Sequence, residues 1–270
     1  MASAAAATAR GVLVILGGNG FVGTAVAQEA LARGLNVLCL SRSGEPAAPQ
    51  AAQPWAKQVQ WGKADAFSPD SYREALASAD ALVVSIGSPP VPFVDYDFQR
   101  RMNGESNVRG VGTRQATFGA TQTSRVSCSA PHTPSSQVVA AHTAKEAGVP
   151  MLVLVNASMP PLLVPKGYRD GKHDAEAAAR AFVDGWHGAA VLKPGAIHGV
   201  RYVNGRPLNI SPLLAPASWG MRLVGLGANA PVGVRHVAAA AVSAVTDKAL
   251  RGKYTEIDNK AILAHAPQLK

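Results

Sequence analysis

The sequence predicts an α/β domain built on a doubly wound parallel sheet, with a small C-terminal lobe. Three observations predict it. Apolar runs of strand length alternate with helical patterns through most of the 270 residues, and such alternation implies parallel strands whose crossover helices cover both faces. The first run, Val12–Leu16, leads at once into glycines spaced three apart, Gly17, Gly20 and Gly23. Finally, 47% apolar content with only 16% charged residues suits a packed core and argues against disorder.

The elements follow in order. Val12–Leu16 reads as a buried strand, and Phe21–Arg33 as its helix, closed by Gly34, with Phe21, Val22, Ala25, Val26, Ala30 and Leu31 on one side. Asn36–Leu40 is the second strand, and Ser41–Pro54 a loop rich in Ser, Gly and Pro. Gln58–Trp61 is a short third strand, and Ser68–Ala77 a helix introduced by Ser68-Pro69. Ala81–Ile86 is the fourth strand, Ala140–Ala147 a helix stopped by Gly-Val-Pro, and Met151–Val155 the fifth strand. Gly171–Phe182 is helical, Ala189–Leu192 is the sixth strand, His236–Leu250 a late amphipathic helix and Tyr254–Ile257 an edge strand. Residues 109–137 break the rhythm: they are rich in Gly, Thr, Ser, Arg and Gln, and a structureless stretch of that length reads as a disordered insertion or an unspliced intron. The expected organisation is therefore one domain over 1–270, with a disordered N-terminus at 1–10 and an insertion at 109–137.

Composition excludes several classes. A formal charge of +9 is spread along the chain apart from Arg100-Arg101, with no basic run interleaved with aromatics, so no nucleic-acid partner is expected. A basic rim would instead attract a phosphorylated cofactor or anionic lipid, which leaves peripheral membrane association open. The longest apolar runs are too short to span a membrane. Two cysteines, Cys39 and Cys128, give no disulfide framework, and Cys39 in its strand reads as a small core residue. Residues 1–10 are rich in Ala and Ser and free of acids, as in transit peptides, but too few to make one; a leader missing from this chain or an ordinary disordered terminus accounts for them equally well.

The glycine triplet between strand and helix makes dinucleotide binding the leading function. Gly17 allows the tight turn, Gly20 lets a pyrophosphate approach the backbone, and Gly23 lets the helix pack closely, while the helix start at Phe21 and Val22 faces the anion. Ile86-Gly87, ending the fourth strand, joins the same cofactor edge. Cofactor choice is read from the second strand. NAD enzymes of this type end it with Asp or Glu to bind the ribose diol. This chain has Ser41, Arg42 and Ser43 instead, and an arginine flanked by hydroxyls suits a 2′-phosphate. The expected cofactor is NADP(H), with NAD(H) less favoured. Asp65, after the third strand, either contacts the adenine or caps its own turn.

Candidate catalytic groups come next. Tyr168 and Lys172 share a face one turn apart if the helix already includes Tyr168. A lysine ammonium near a phenol favours the phenolate, so Tyr168 is expected to exchange a proton near neutral pH, and Lys172 also suits a ribose hydroxyl. Such a pair works with a hydroxyl at the end of the preceding strand; here Asn156 holds that place and Ser158 lies two residues on. Pro194 and Gly195, after the sixth strand, form a turn expected beside the nicotinamide. His173, His187, His198 and His236 lack metal spacing, and no metal is expected. Pro231-Val232-Gly233-Val234 is expected to shape the substrate-side lobe.

Together these residues resemble the atypical short-chain dehydrogenase/reductase (SDR) superfamily of the NAD(P)-binding Rossmann fold, over nearly the whole chain. Gly17-Gly18-Asn19-Gly20-Phe21-Val22-Gly23, Ser41-Arg42-Ser43-Gly44, Val59-Gln60-Trp61 and Phe67-Ser68-Pro69-Asp70-Ser71-Tyr72 look like an organellar group within it. Met102-Asn103-Gly104-Glu105-Ser106-Asn107-Val108 and Gly167-Tyr168-Arg169-Asp170-Gly171-Lys172 with Glu176 strengthen the match. The group it resembles includes a fungal mitochondrial coenzyme Q biosynthesis protein and plant chloroplast proteins of plastoglobules, and is related to the 39 kDa accessory subunit of respiratory complex I. In it, Asn-Val runs on directly into an equivalent of Val139-Ala140-Ala141, so residues 109–137 are a departure.

The resemblance implies an NADP(H)-binding, mitochondrial or chloroplast oxidoreductase acting on a hydrophobic quinone-related, isoprenoid or lipid carbonyl or alcohol. The alternative it implies is a non-catalytic accessory or assembly subunit within an organellar protein complex, in coenzyme Q biosynthesis or complex I. A nucleotide-sugar epimerase uses the same fold and the same Tyr and Lys, but the short C-terminal region leaves little room for its sugar lobe.

Overall fold

The computed structural model describes residues 11–87, 135–158, 165–203, 206–209, 211–212 and 230–268. The N-terminal decapeptide, Cys128 and residues 109–134 of the expected insertion lie outside them. The N-terminal half comprises β1 (Val12–Leu16), α1 (Phe21–Ala32), β2 (Asn36–Ser41), α2 (Ala48–Ala51), β3 (Gln60–Lys63), α3 (Arg73–Leu76) and β4 (Ala79–Val84). Then follow α4 (Ser136–Glu146), β5 (Met151–Val155), α5 (Lys166–Phe182), β6 (Gly188–Lys193), β7 (Ile197–His198), β8 (Val200–Val203) and β9 (Arg206–Asn209). The chain closes with β10 (Val232–Gly233), α6 (Val234–Thr246), β11 (Tyr254–Asp258) and α7 (Asn259–Ala264).

Seven strands form the central sheet in the order β3-β2-β1-β4-β5-β6-β11, every neighbouring pair parallel. The order reverses between β1 and β4, which makes their C-terminal ends the crevice where a ligand binds in such sheets. The period-2 alternation of side chains divides the core into two layers. Leu13, Ile15, Cys39, Val83, Val153 and Leu192 face α1 and α6, whereas Val14, Leu16, Leu82, Val84, Leu154 and Val191 face α4 and α5. Burial on both faces is why these strands read as unbroken apolar runs. Each buried Val or Leu contributes roughly 1.5–3 kcal/mol relative to exposure. Alanines at 238, 239, 240 and 241 keep α6 thin enough to lie close against the sheet and α1. The buried Glu29 of α1 is neutralised by Arg33 at 2.8 Å, which also donates to Ser243 Oγ of α6 at 2.9 Å.

Several boundaries move. Helix α4 begins at Ser136, capped by Ser135 Oγ accepting the Val138 N–H at 3.1 Å, so residues 135–137 belong to the helix rather than to an insertion. Helix α5 begins at Lys166, not Gly171, and therefore contains Tyr168. The helix expected at Ser68–Ala77 is split into a 3-10 turn, Pro69–Ser71, and the single turn α3. Buried Tyr72 sits at the break and donates its hydroxyl to Ala66 O at 3.2 Å.

The described part of the C-terminal lobe consists of the β8–β9 ribbon and the two-stranded pair β7–β10, beside the start of α1. None of these short strands carries an alternating pattern long enough to read in sequence. Among the described residues, no helix is long and apolar enough to cross a membrane.

Candidate functional site: a nucleotide crevice with a tyrosine–lysine pair

The crevice starts at the turn out of β1. Gly17 has φ +88°, a conformation side chains resist, and both Gly17 and Gly18 donate their N–H to Leu40 O of β2, at 2.8 and 3.1 Å. Gly18 is required by close approach, since a Cβ there would lie 2.4 Å from the Cys39 Cβ. At Gly23 a Cβ would lie 2.2 Å from Gly17 O, so helix and turn touch backbone to backbone. A Cβ at Gly20 would meet only Gly17 O, at 3.1 Å, and its other sides are open. The first turn of α1 has no acidic residue and no side-chain cap, so its backbone N–H groups stay free for an anion. Phe21 and Val22 are half-buried there. A pyrophosphate fits this cradle.

At the tip of β2 the three residues divide their roles. Ser41, expected beside a 2′-phosphate, is buried and donates its hydroxyl to Gly44 O at 2.7 Å, so it shapes the loop. Ser43 Oγ accepts from Asn19 Nδ2 at 2.6 Å, tying this loop to the glycine turn. Arg42 is exposed and makes no ion pair among the described residues. Asp65 Oδ1 accepts the Phe67 N–H at 3.1 Å and thus caps its turn with one oxygen, leaving the other. Across the crevice, Ser85 Oγ donates to Leu16 O and Gly17 O, and Ile86 packs against the turn at Gly17. Ile86 O accepts from the buried Gln137 Nε2 at 2.8 Å, and exposed Gly87 follows.

The tyrosine–lysine pair lies on α5. Both side chains are buried, Tyr168 7% and Lys172 8% exposed, with Lys172 Nζ 5.7 Å from the centre of the Tyr168 ring. Burial pushes the Tyr168 phenol up to about 12 and the Lys172 ammonium down to about 8, the latter partly offset by Glu176. The expected lowering of the Tyr168 pKa by Lys172 is therefore absent from the free protein: desolvation outweighs the ammonium across that separation.

Asn156 also departs from its expected role. Its amide donates to Lys172 O at 3.2 Å and to Glu176 Oε1 at 2.8 Å, while its oxygen accepts the Ala157 N–H at 2.9 Å. With both donors engaged, Asn156 fastens β5 to α5. Ser158 is half-buried, and its N–H donates to Pro194 O at 2.7 Å, so the ends of β5 and β6 are held together. In the turn expected beside the nicotinamide, the Gly195 N–H donates to buried Asn259 Oδ1 at 2.8 Å. Behind the pair, Glu176 and Glu256 share Lys193, at 3.1 and 2.7 Å.

Comparison with known proteins agrees with this geometry. The profile of the NAD(P)H-binding family matches residues 17–181, from the first glycine of the triplet to the last turn of α5. The chain belongs to the NAD(P)H-binding family. An uncharacterized chloroplastic protein of Arabidopsis thaliana is 33% identical over 196 residues, 72% of this chain and 53% of that protein. MIOREX complex component 2 of Saccharomyces cerevisiae is 44% identical over 79 residues, 28% of each chain. The chain thus spans about half, or less, of the curated relatives it matches. Among solved structures, BdcA in complex with NADPH superposes with a TM-score of 0.58 at 16% identity, covering 92% of this chain and 93% of that one. WbmG of Bordetella bronchiseptica with NAD gives 0.59 at 13%, covering 94% and 74%. The fold is that of the NAD(P)-binding, atypical SDR-like Rossmann proteins.

Three supports of this NAD(P)H-binding domain have roles that the sequence does not show. Gly18 was overshadowed by the three-residue spacing of its neighbours, and Asn19 and Asn259 act across the chain on loops distant in sequence. A cavity of about 870 Å³ lies beside α1, between it, the β7–β9 segment and the start of α6, lined by Phe21, Gln28, His198, Tyr202, Asn209 and His236 among others.

Proposed function

We propose that this chain is an NADP(H)-dependent oxidoreductase of a mitochondrion or chloroplast, acting on the carbonyl or alcohol of a hydrophobic quinone-related, isoprenoid or lipid molecule. The observation that carries the cofactor choice is Arg42, exposed and without an ion pair among the described residues at the tip of β2, where a carboxylate would serve a ribose diol. Gly17, Gly20 and Gly23 with the start of α1 would hold the pyrophosphate. Arg42 would hold the 2′-phosphate and Lys172 the nicotinamide ribose. When bound, the nicotinamide supplies or takes up a hydride.

The chain's own residues handle the proton. Tyr168, kept protonated by burial, donates its phenolic proton to a substrate oxygen in the direction of reduction. The Lys172 cation, 5.7 Å from the ring centre, offsets the phenolate left behind. Ser158, with a free hydroxyl among the described residues, takes the part of the third group, and Asn156 positions Lys172 through its carbonyl. The organellar placement rests on the chloroplastic and MIOREX relatives.

A second reading, a non-catalytic NADP-binding subunit of an organellar complex, is favoured by Asn156, whose donors are turned into the fold. NADPH titration of the wild type and Arg42→Ala, with NADH as control, tests the cofactor. Selective loss of NADPH binding in the variant is expected, and equal binding of both nucleotides to the wild type would refute it. Turnover that vanishes in Tyr168→Phe supports the enzyme. Tight cofactor retention without turnover, with co-purifying organellar proteins, supports the subunit.

A further inference from the structure

We propose that Lys63 is a second cation of the 2′-phosphate subsite, meeting the phosphate from β3 while Arg42 approaches from β2. This deepens the NADP(H) reading and rests on it.

Ser41 and Lys63 are Cα partners in the parallel β2–β3 register, the last pair of that ladder. The Ala64 N–H donates to Ser41 O at 3.0 Å, so the two strand ends are fastened side by side. Beyond Ser41 the loop folds back, held by Ser41 Oγ on Gly44 O at 2.7 Å. That fold-back lays Gly44 over the lysine stem: a Cβ at Gly44 would lie 3.3 Å from Lys63 Cγ and 3.7 Å from its Cε. The stem therefore runs along the loop that carries Arg42.

Both cations are exposed, and neither has an ion pair or side-chain hydrogen bond among the described residues. The acids nearby in sequence leave them so. Among the described residues, exposed Glu45 enters the loop's bonding only through its backbone oxygen, on Asn19, while Asp65 caps its own turn at Phe67. Two uncompensated cations at adjacent strand ends repel each other and gain most from a ligand that brings two negative charges between them. A ribose diol offers none. Arg42 is suited to a bidentate contact and Lys63 to a point-charge contact from the other side, so the two need not share a geometry.

The test measures dissociation constants for NADPH, NADH and 2′,5′-ADP on the wild type, Lys63→Ala, Lys63→Arg and Arg42→Ala. Lys63→Ala is expected to weaken NADPH and 2′,5′-ADP by about tenfold, the lower end for an exposed charge-assisted contact, leave NADH unchanged, and flatten the salt dependence of NADPH binding. Lys63→Arg should restore most of the loss. Wild-type NADPH affinity in Lys63→Ala, alongside a loss in Arg42→Ala, would overturn the role of Lys63 and leave that of Arg42 standing. An equal loss for NADPH and NADH would make Lys63 a structural residue and also overturn it. A wild type that binds NADH as tightly as NADPH would remove the NADP(H) reading itself.

Discussion

Replacing Lys172 by Met should stabilise the free protein near neutral pH. Burial lowers this ammonium from 10.5 to about 8, so at pH 7 the folded chain holds a charge that the unfolded chain holds more easily. At 1.36 kcal/mol per pKa unit the cost is about 3 kcal/mol. The sign follows from proton counting. Between pH 8 and 10.5 the folded state binds fewer protons than the unfolded state, so wild-type stability rises with pH through that window. Methionine keeps the apolar stem and has no charge, so the variant lacks this rise. Glu176 is not orphaned, because Asn156 and Lys193 remain on it at 2.8 and 3.1 Å. Urea unfolding of both proteins from pH 7 to 9.5 should show a gap of about 3 kcal/mol that shrinks to about half or less at the upper end. Tyr168, whose raised phenol acts in the opposite sense above pH 10, does not enter that range. A gap that stays constant with pH, or a variant less stable at pH 7, would refute the reasoning.

Three further outcomes are expected. Gly23→Ala places a methyl 2.2 Å from Gly17 O, backbone that cannot rotate away, and should cost about 3 kcal/mol or more with loss of nucleotide binding, read by thermal melting and titration. Asn156→Ala removes both donors from Lys172 O and Glu176, and should lower unfolding free energy by about 1–3 kcal/mol in urea titration. Tyr168→Phe should change stability by less than about 1 kcal/mol, since its hydroxyl has no hydrogen bond among the described residues. In a reductase assay with NADPH the same variant should lose turnover while keeping cofactor affinity.

The parts of the fold that could be read in sequence are those set by local pattern. Buried parallel strands are apolar throughout, so β1, β4, β5 and β6 were visible, and β1 with its glycines marked the crevice. Strand ends were less visible: β3 lies two residues beyond its expected start because Trp61-Gly62-Lys63 extends the pairing past the apolar stretch. The short strands β7 to β10 carry too few residues for any period, and α7 depends on Asp258 capping Ala261 N–H across a single turn. For the candidate site, residue types and spacing singled out Tyr168, Lys172 and Arg42. They could not tell which donors were already engaged. Ser41, Asn156 and the Gly195 N–H all looked available from sequence, and each turns out to be bonded within the protein.

Asn156 shows why that distinction bears on function. A serine at the end of β5 would offer a hydroxyl that can both donate and accept, and could serve a substrate without breaking anything. Asparagine there offers two donors, and both reach α5: one the carbonyl of Lys172, the other Glu176. Glu176 Oε2 in turn meets Lys193 of β6. The consequence is a fixed frame around Lys172 in which β5, α5 and β6 are bonded to one carboxylate. That frame holds an expensive buried ammonium beside Tyr168, and a fold with no use for a cation there would gain stability by losing it. A binding-only subunit would need Lys172 for the ribose but would have no need of Tyr168. The pair is therefore separable by experiment: cofactor affinity lost in Lys172→Met, despite its gain in stability, assigns the lysine to binding, and turnover lost in Tyr168→Phe at unchanged cofactor affinity assigns the tyrosine to chemistry.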